Sequence, residues 1–247
     1  TNNVSRTFLE ILLSFLLDRI GQLCGTSKEA YILARLFKFA FGSVAIGDNE
    51  MALKPYLTTI VNSCITYGSE RKESAHYFGL LRSLFRAVAE GKYEWLYQEF
   101  LPLLPDLLRW LNKLLTSSHE PKMKDTFAEL CLTVPVRLPA LTPFLDLLMQ
   151  PLIWALHSLN SDLVNQGLTT FDSLIQNLSA DFIDPIAADI RQNLVSSVRE
   201  HIQSTDSLKS LQALRILGKL AGNNRKFLYD NVPSCPPNSF TELPHPT

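Results

Sequence analysis

The residues of this chain that resemble chemical machinery are few, and their spacing argues against using them as such. Gly42-Ser-Val-Ala-Ile-Gly47 has two glycines at the separation found in a phosphate-cradling loop. That loop also needs a Lys-Ser/Thr pair after the second glycine and a strand before the first. Here Asp48-Asn49 follows and a helical pattern precedes, so the glycines read as helix ends. The five histidines, His76, His119, His157, His201 and His245, stand singly, without a partner four residues away or a His-Glu-x-x-His pattern that would aim two imidazoles at one metal. Glu70, Glu73, Glu90, Glu94 and Glu99 are spaced like solvated helix faces and do not form a facing pair for acid–base work. The sequence nominates no catalytic, cofactor-binding or metal-ligating residue and no cofactor, and it reads as non-enzymatic.

Cys24, Cys64, Cys131 and Cys235 lie far apart, with no Cys-x-x-Cys pair and no histidine at ligand spacing. The first three read as free, buried thiols, which implies a reducing, intracellular compartment. The matches to a glycosylation sequon at Asn3 and Asn177 carry no weight. Two features could serve binding. Arg215, Lys219, Arg225 and Lys226 form a basic cluster, for which the plainer reading is cations at a helix C-terminus favouring its dipole. Tyr93, Trp95 and Tyr97 cluster at a helix start, where the plainer reading is packing between repeats.

The elements behind these residues are helices that recur. About every 40 to 50 residues a helix-length apolar pattern, a short polar break and a second helix-length pattern follow one another, the period of stacked two-helix repeats. Second helices are expected to start near Lys28, Arg71, Lys122, Ser161 and Asp206, and first helices near Met51, Tyr93, Leu141 and Phe182. In residues 161–178, Leu163, Val164, Leu168, Phe171, Leu174, Ile175 and Leu178 fall on one stripe of a 3.6-residue helix. Ile186, Ile190, Leu194, Val198 and Ile202 repeat every four residues, with Asp184 as expected N-cap and Pro185 at the first helical position. Leu208, Leu211, Leu214, Leu217 and Leu220 recur every three, and Gly222-Asn223 offers a left-handed stop. Pro102, Pro105, Pro139, Pro143 and Pro151 each should start or kink a helix, because proline lacks the amide donor and clashes with the preceding turn.

The fold class expected is therefore all-α, an α-solenoid of HEAT/armadillo-like helix pairs, about five of them over residues 1–228. Residues 229–247, with Pro233, Pro236, Pro237, Pro244 and Pro246, read as a linker or disordered tail. A hydrophobic fraction of 46% supplies a core, and 10 glycines with little β-patterning leave little room for a sheet. Net charge of −1 speaks against a nucleic-acid-binding domain, which carries a basic excess. Residues 138–156 are long enough to span a bilayer, yet Pro139, Pro143, Asp146, Gln150 and Pro151 suit a buried repeat helix better. An opening Thr1 suggests a piece of something longer.

Three blocks carry a family likeness: Lys124-Asp-Thr-Phe-Ala-Glu-Leu-Cys-Leu-Thr-Val-Pro-Val-Arg-Leu138, Asn165-Gln-Gly-Leu-Thr-Thr-Phe-Asp-Ser-Leu-Ile-Gln-Asn-Leu-Ser-Ala-Asp-Phe-Ile183 and Leu214-Arg-Ile-Leu-Gly-Lys-Leu-Ala-Gly-Asn-Asn-Arg-Lys-Phe-Leu228. In that order they resemble the HEAT-repeat region of the transformation/transcription domain-associated protein family, pseudokinase relatives of the phosphatidylinositol-3-kinase-related kinases. Tyr97-Gln-Glu-Phe-Leu-Pro-Leu-Leu-Pro105 extends the likeness to about residues 80–228, while the first 75 residues match only as generic helical repeats. Gly167 and Gly218, inside helices, suggest close approach of a neighbouring helix.

The resemblance implies a nuclear, non-catalytic scaffold segment of a transcription coactivator subunit of SAGA- and NuA4-type histone acetyltransferase complexes. Its implied partners are other subunits of those complexes and transcription activators, with no nucleic acid, membrane or small-molecule substrate. Two other readings stand beside it, the first sharing the periodicity without the three blocks. One is a HEAT-repeat nuclear transport receptor, the other the solenoid of an active kinase of the same superfamily.

Overall fold

A computed structural model describes residues 2–25, 27–46, 49–70, 74–88, 93–187, 190–203 and 206–223. Every regular element among them is helical, and no strand occurs among the described residues. The chain is an all-α solenoid of HEAT-like helix pairs. The expected tail at residues 229–247 lies outside the described residues, as does the expected helix start at Arg71.

The chain divides into two units, residues 1–170 and 171–247. In the first unit α1 (Asn2–Leu17), α3 (Asn49–Glu70) and α5 (Glu94–Phe100) pack side by side as one row, and α2 (Lys28–Gly42), α4 (Ala75–Ala87) and α7 (Pro121–Leu132) form a second row against it. α6 (Leu104–Ser117) continues α5 after a 3-10 turn, and both α6 and α7 pack on α9 (Leu145–His157). Helix neighbours are thus repeat neighbours, as a stack requires. Leu13, Leu53, Leu81 and Leu111 are completely buried between the rows.

Local sequence sets the helix ends. Ser27 Oγ accepts the Ala30 N–H at 3.0 Å and caps α2, following Gly25, whose φ of 82° is the left-handed conformation that glycine adopts without Cβ strain. Pro121 opens α7 at its first position. Pro102 and Pro105 fall where α5 yields to the 3-10 turn and α6 begins, so the first-row helix breaks there as expected. The same happens downstream: the helix expected near Leu141 is α8 (Leu138–Leu141), a 3-10 turn at Thr142–Phe144, then α9. The stretch Leu138–His157 is long and apolar enough to cross a membrane by length and composition, but in this fold it is broken and packs on α6 and α7.

Pro151 lies buried inside α9 and cannot donate to the carbonyl four residues back, that of Leu147. Asn112 on α6 donates to that oxygen instead. Pro55, inside α3, is exposed, where water can meet the orphaned acceptor.

α10 (Ser161–Asn177) carries the boundary between the units. Its stripe is as expected from Leu163 to Ile175, with Leu163, Val164, Leu168, Phe171, Leu174 and Ile175 buried, while Leu178 falls just past the helix end and is half-buried. Gly167 is tight: an added Cβ would lie 3.2 Å from the Ala155 Cβ. At Gly218 nothing lies within 4 Å, so close approach does not explain that glycine.

In the second unit two local expectations are corrected. The helix expected to open at Asp184 is already under way: α11 (Ala180–Ala187) starts after Ser179, whose carbonyl accepts from the amides of Phe182 and Ile183. Pro185 sits inside α11, forgoing a single hydrogen bond in a short helix. The four-residue pattern therefore spans two helices, and in α12 (Arg191–Ile202) it buries Leu194 and Val198. In α13 (Ser207–Asn223) the every-third leucines do not form one core face: Leu208, Leu211 and Leu214 are exposed and Leu217 is half-buried, and Leu220 is buried together with Ala213 and Ile216. A three-residue step turns about 300° and so drifts around the helix, while steps of three and four together hold one face. α13 runs through Gly222 to Asn223, the last described residue.

Candidate functional site

The residues singled out for chemistry are dispersed by the fold. Gly42 is the last residue of α2, as expected of a helix-ending glycine, and Gly47 lies outside the described residues. His76 Nε2 lies 3.0 Å from the Gly25 carbonyl, joining α4 to the turn before α2, and His119 and His157 contact nearby backbone oxygens. His245 is outside the described residues, and among those described no cluster of three or more His, Cys, Asp or Glu is placed to hold a metal. Cys64 and Cys131 are fully buried and Cys24 partly so, all three as free thiols. Burial in apolar surroundings pushes the Cys64 and Cys131 thiols well above the ordinary range. Cys235 is not among the described residues.

The acidic residues act as links between repeats. Glu50 Oε1 accepts the backbone N–H groups of Trp95, at 2.7 Å, and Leu96, at 3.2 Å, so a side chain from α3 caps α5. No side chain from the N-cap residue Tyr93 does so. Lys54 reaches Glu99 at 3.5 Å, and its Nζ stands 4.9 Å from the centre of the Trp95 ring. Glu94 accepts from Gln98 and from Arg137, and these bonds hold its carboxyl below the usual range. Glu73 and Glu90 lie outside the described residues.

The aromatic cluster does two things. Tyr97 is buried with the Arg137 guanidinium 4.5 Å from its ring centre, as packing between repeats predicts, while Trp95 is 54% exposed. The basic cluster is not a free patch where it can be seen. Lys219 and Arg215 both engage Asp172 of α10, and Lys219 also donates to Gln176. Arg225 and Lys226 lie outside the described residues.

These links share a spacing. Ser5 and Asn49 are 44 residues apart, Glu50 and Trp95 45, Glu94 and Arg137 43, Arg86 and Glu129 43, and Asp172 and Lys219 47. Each joins a residue to its neighbour one repeat on, and none is a motif on its own. Sequence reading missed them, although the period itself was the available signal.

What remains for function is surface. Between the N-terminal halves of α4 and α7 lies a cleft of about 630 Å³, lined by Gly25, Ser74, His76, Gly79, Arg82 and Lys122 among others. It is an open groove in which apolar side chains such as Phe78 and Met123 stand beside the polar ones.

Comparison with known proteins bears on the whole stack. Residues 1–205 match the family described as the Tra1 HEAT repeat central region. The chain is 44% identical over 233 residues to human "Transformation/transcription domain-associated protein", and 40% identical over 228 residues to the Drosophila melanogaster "Transcription-associated protein 1". It is 37% identical over 243 residues to the Saccharomyces cerevisiae "SAGA complex/NuA4 acetyltransferase complex subunit TRA1". These alignments cover 92%, 92% and 96% of the chain but only 6% of each relative's length. The family match begins at residue 1, so the likeness is not confined to residues after about 80 as the sequence blocks suggested.

Proposed function

We propose, from the premise that this chain belongs to the family of the Tra1 HEAT repeat central region, that it is a non-catalytic scaffold segment of a large transcription-coactivator subunit. The complexes are of the SAGA and NuA4 histone acetyltransferase type, as in the name of the Saccharomyces cerevisiae relative. In this reading the segment works by protein association in the nucleus. It holds neighbouring subunits and receives transcription activators, and it needs no cofactor, nucleic acid, membrane or small-molecule substrate. Residues 1–228 are read as the solenoid segment, with residues 229–247 as a linker or disordered tail. The observation that supports it is the match of the helical stack itself, residues 1–205, to the central region of that family. Stacked helix pairs present long surfaces suited to holding other proteins. No specific observation favours the transport-receptor or active-kinase readings.

The test is deletion of residues 161–228 from the intact protein, followed by affinity capture from nuclear extract. Loss of acetyltransferase-complex subunits or of activator recruitment is expected, because the deletion breaks the stack. Unchanged recovery of both, or recovery of nucleoporins and a small GTPase in place of acetyltransferase subunits, would overturn the proposal.

A further inference from the structure

The helices of the second row begin at equivalent positions. Ser27 precedes α2, Ser74 precedes α4 and Glu120 precedes α7, at intervals of 47 and 46 residues, one repeat each. The three positions are not used alike. Ser27 has extended backbone, and its Oγ accepts the Ala30 N–H. Ser74 has φ −94° and ψ 2°, outside the extended region in which a hydroxyl reaches the first turn, and its side chain makes no capping bond. Glu120 supplies a carboxylate at the same place one repeat on.

Two independent features set Ser74 apart. In the sequence Arg71-Lys72-Glu73-Ser74, cations stand three and two residues before a hydroxyl, the pattern by which basophilic serine kinases hold a substrate against their own carboxylates. No other serine or threonine of the chain has a cation at both places. In the fold, Ser74 is half-buried and lines the cleft between α4 and α7 together with His76, Arg82, Glu120 and Lys122. His76 Nε2 is engaged with the Gly25 carbonyl, which leaves Arg82 and the exposed Lys122 as the cations of the cleft. Arg82 shares its carboxylate partner, Glu129, with Arg86, so two guanidinium groups stand on one acid. Arg82 Nε is also buried with no hydrogen-bond partner among the described residues.

We propose that Ser74 is a phosphorylation site for a basophilic serine kinase, and that its phosphate joins the start of α4 to Lys122 and Arg82 across the cleft. In the transfer, Ser74 Oγ attacks the γ-phosphorus of ATP. The new O–P bond forms as the bond to the β,γ-bridging oxygen breaks, ADP leaves, and the hydroxyl proton passes to the base of the kinase. The product carries a charge of about −1.5 to −2 at neutral pH and three acceptor oxygens beyond the reach of the hydroxyl. Those oxygens stand at the positive end of α4, next to the amides of Ala75 and His76, which precede the first helix-bonded amide, that of Tyr77. Glu120 is the opposing charge in the cleft, so its removal should tighten the bridge. Ser74 and Lys122 are 48 residues apart, so the bridge adds an ionic link between neighbouring repeats that a kinase switches on.

The test incubates the intact protein with ATP and the catalytic subunit of cyclic-AMP-dependent protein kinase, and locates the phosphate by peptide mass mapping. Ser74 should be modified, Ser74→Ala should abolish that phosphate, and Arg71→Gln should slow its incorporation about tenfold or more. Hydrogen exchange then reads the bridge. Phosphorylation should slow amide exchange about tenfold at the starts of α4 and α7, residues 75–78 and 122–125. Lys122→Gln should weaken the response at α7 and leave that at α4, and Glu120→Gln should enlarge the response at α7. Ser74 caps nothing and Lys122 is exposed, so neither variant strains the fold. If Arg82→Gln unfolds its repeat by freeing Glu129, Lys122→Gln alone decides. No phosphate on Ser74 in the folded protein, or incorporation at an equal rate in Arg71→Gln, overturns the proposal. So does exchange at α7 that ignores the phosphate, or that responds to it as fully in Lys122→Gln as in the parent.

Discussion

Asn112 Nδ2 on α6 donates to the Leu147 carbonyl at 2.7 Å, the acceptor that Pro151 leaves unclaimed one helical turn later in α9. The second hydrogen of the same amide goes to the Leu108 carbonyl at 3.0 Å, within its own helix. A neighbouring helix thus completes a backbone ladder that proline interrupts, and the side chain that does so fixes α6 against α9. Asn112→Ala should cost about 1–3 kcal/mol by stranding the Leu147 oxygen. In a Pro151→Ala background, where residue 151 regains its N–H, the same change should cost about 1 kcal/mol less. Urea midpoints of the four proteins measure the difference, and equal costs in both backgrounds would refute the pairing.

Two helical glycines should answer the same substitution with opposite signs. Gly167→Ala forces a methyl to 3.2 Å from the Ala155 Cβ and should destabilise by about 1–3 kcal/mol. Gly218→Ala meets open space and should stabilise by about 0.5–1 kcal/mol through reduced chain entropy. Thermal unfolding of the two variants beside the parent decides it, and a shared sign would contradict the packing described.

Glu94 offers a titration. Bonds from Gln98 and then Arg137 lower its pKa, so the folded state releases the proton more readily than the unfolded chain. Its contribution to stability is present above the unfolded carboxylate pKa and is lost as pH falls through the lower, folded value. Carboxyl NMR should place its midpoint below that of an ordinary glutamate. Gln98→Ala and Arg137→Gln should each raise it, the first by removing a hydrogen bond and the second by removing a hydrogen bond and a positive charge. A midpoint indifferent to both variants would count against this account.

The buried thiols should be inert. At mildly alkaline pH, Cys64 and Cys131 should resist an aromatic disulfide reagent in the folded protein and react once denaturant is added, because burial holds them protonated. Cys24, only partly buried, should react first among the three. Mass mapping of labelled peptides over time gives the order, and early labelling of Cys131 would be incompatible with its position between α7 and its neighbours.

Much of this arrangement was legible because local rules and burial agreed. The α10 stripe mixes steps of three and four, and the prolines at 102 and 105 sit where the first-row helix breaks. Legibility failed where spacing was read without its angle, as for Leu208, Leu211 and Leu214, and where one residue type served two contexts, as for Gly167 and Gly218. At Pro185 a preference for first positions was outweighed by a start already made at Ser179. The contacts joining repeats were invisible for a different reason. Glu50 caps a helix whose own N-cap side chain makes no such bond, and the partner of Asn112 is a backbone oxygen, which no side-chain pattern announces.

The links separated by 43 to 47 residues carry a consequence for inheritance. A change of charge at Asp172 leaves Lys219 without its counterion, and the correction with the most direct effect is at Lys219 itself, one repeat downstream. Sequences descended from a common stack should therefore exchange these residues in pairs about one period apart. Loop length within a repeat remains free to drift, provided both partners keep their places on their helices. The partners record the stacking register across substitutions that erase every local motif.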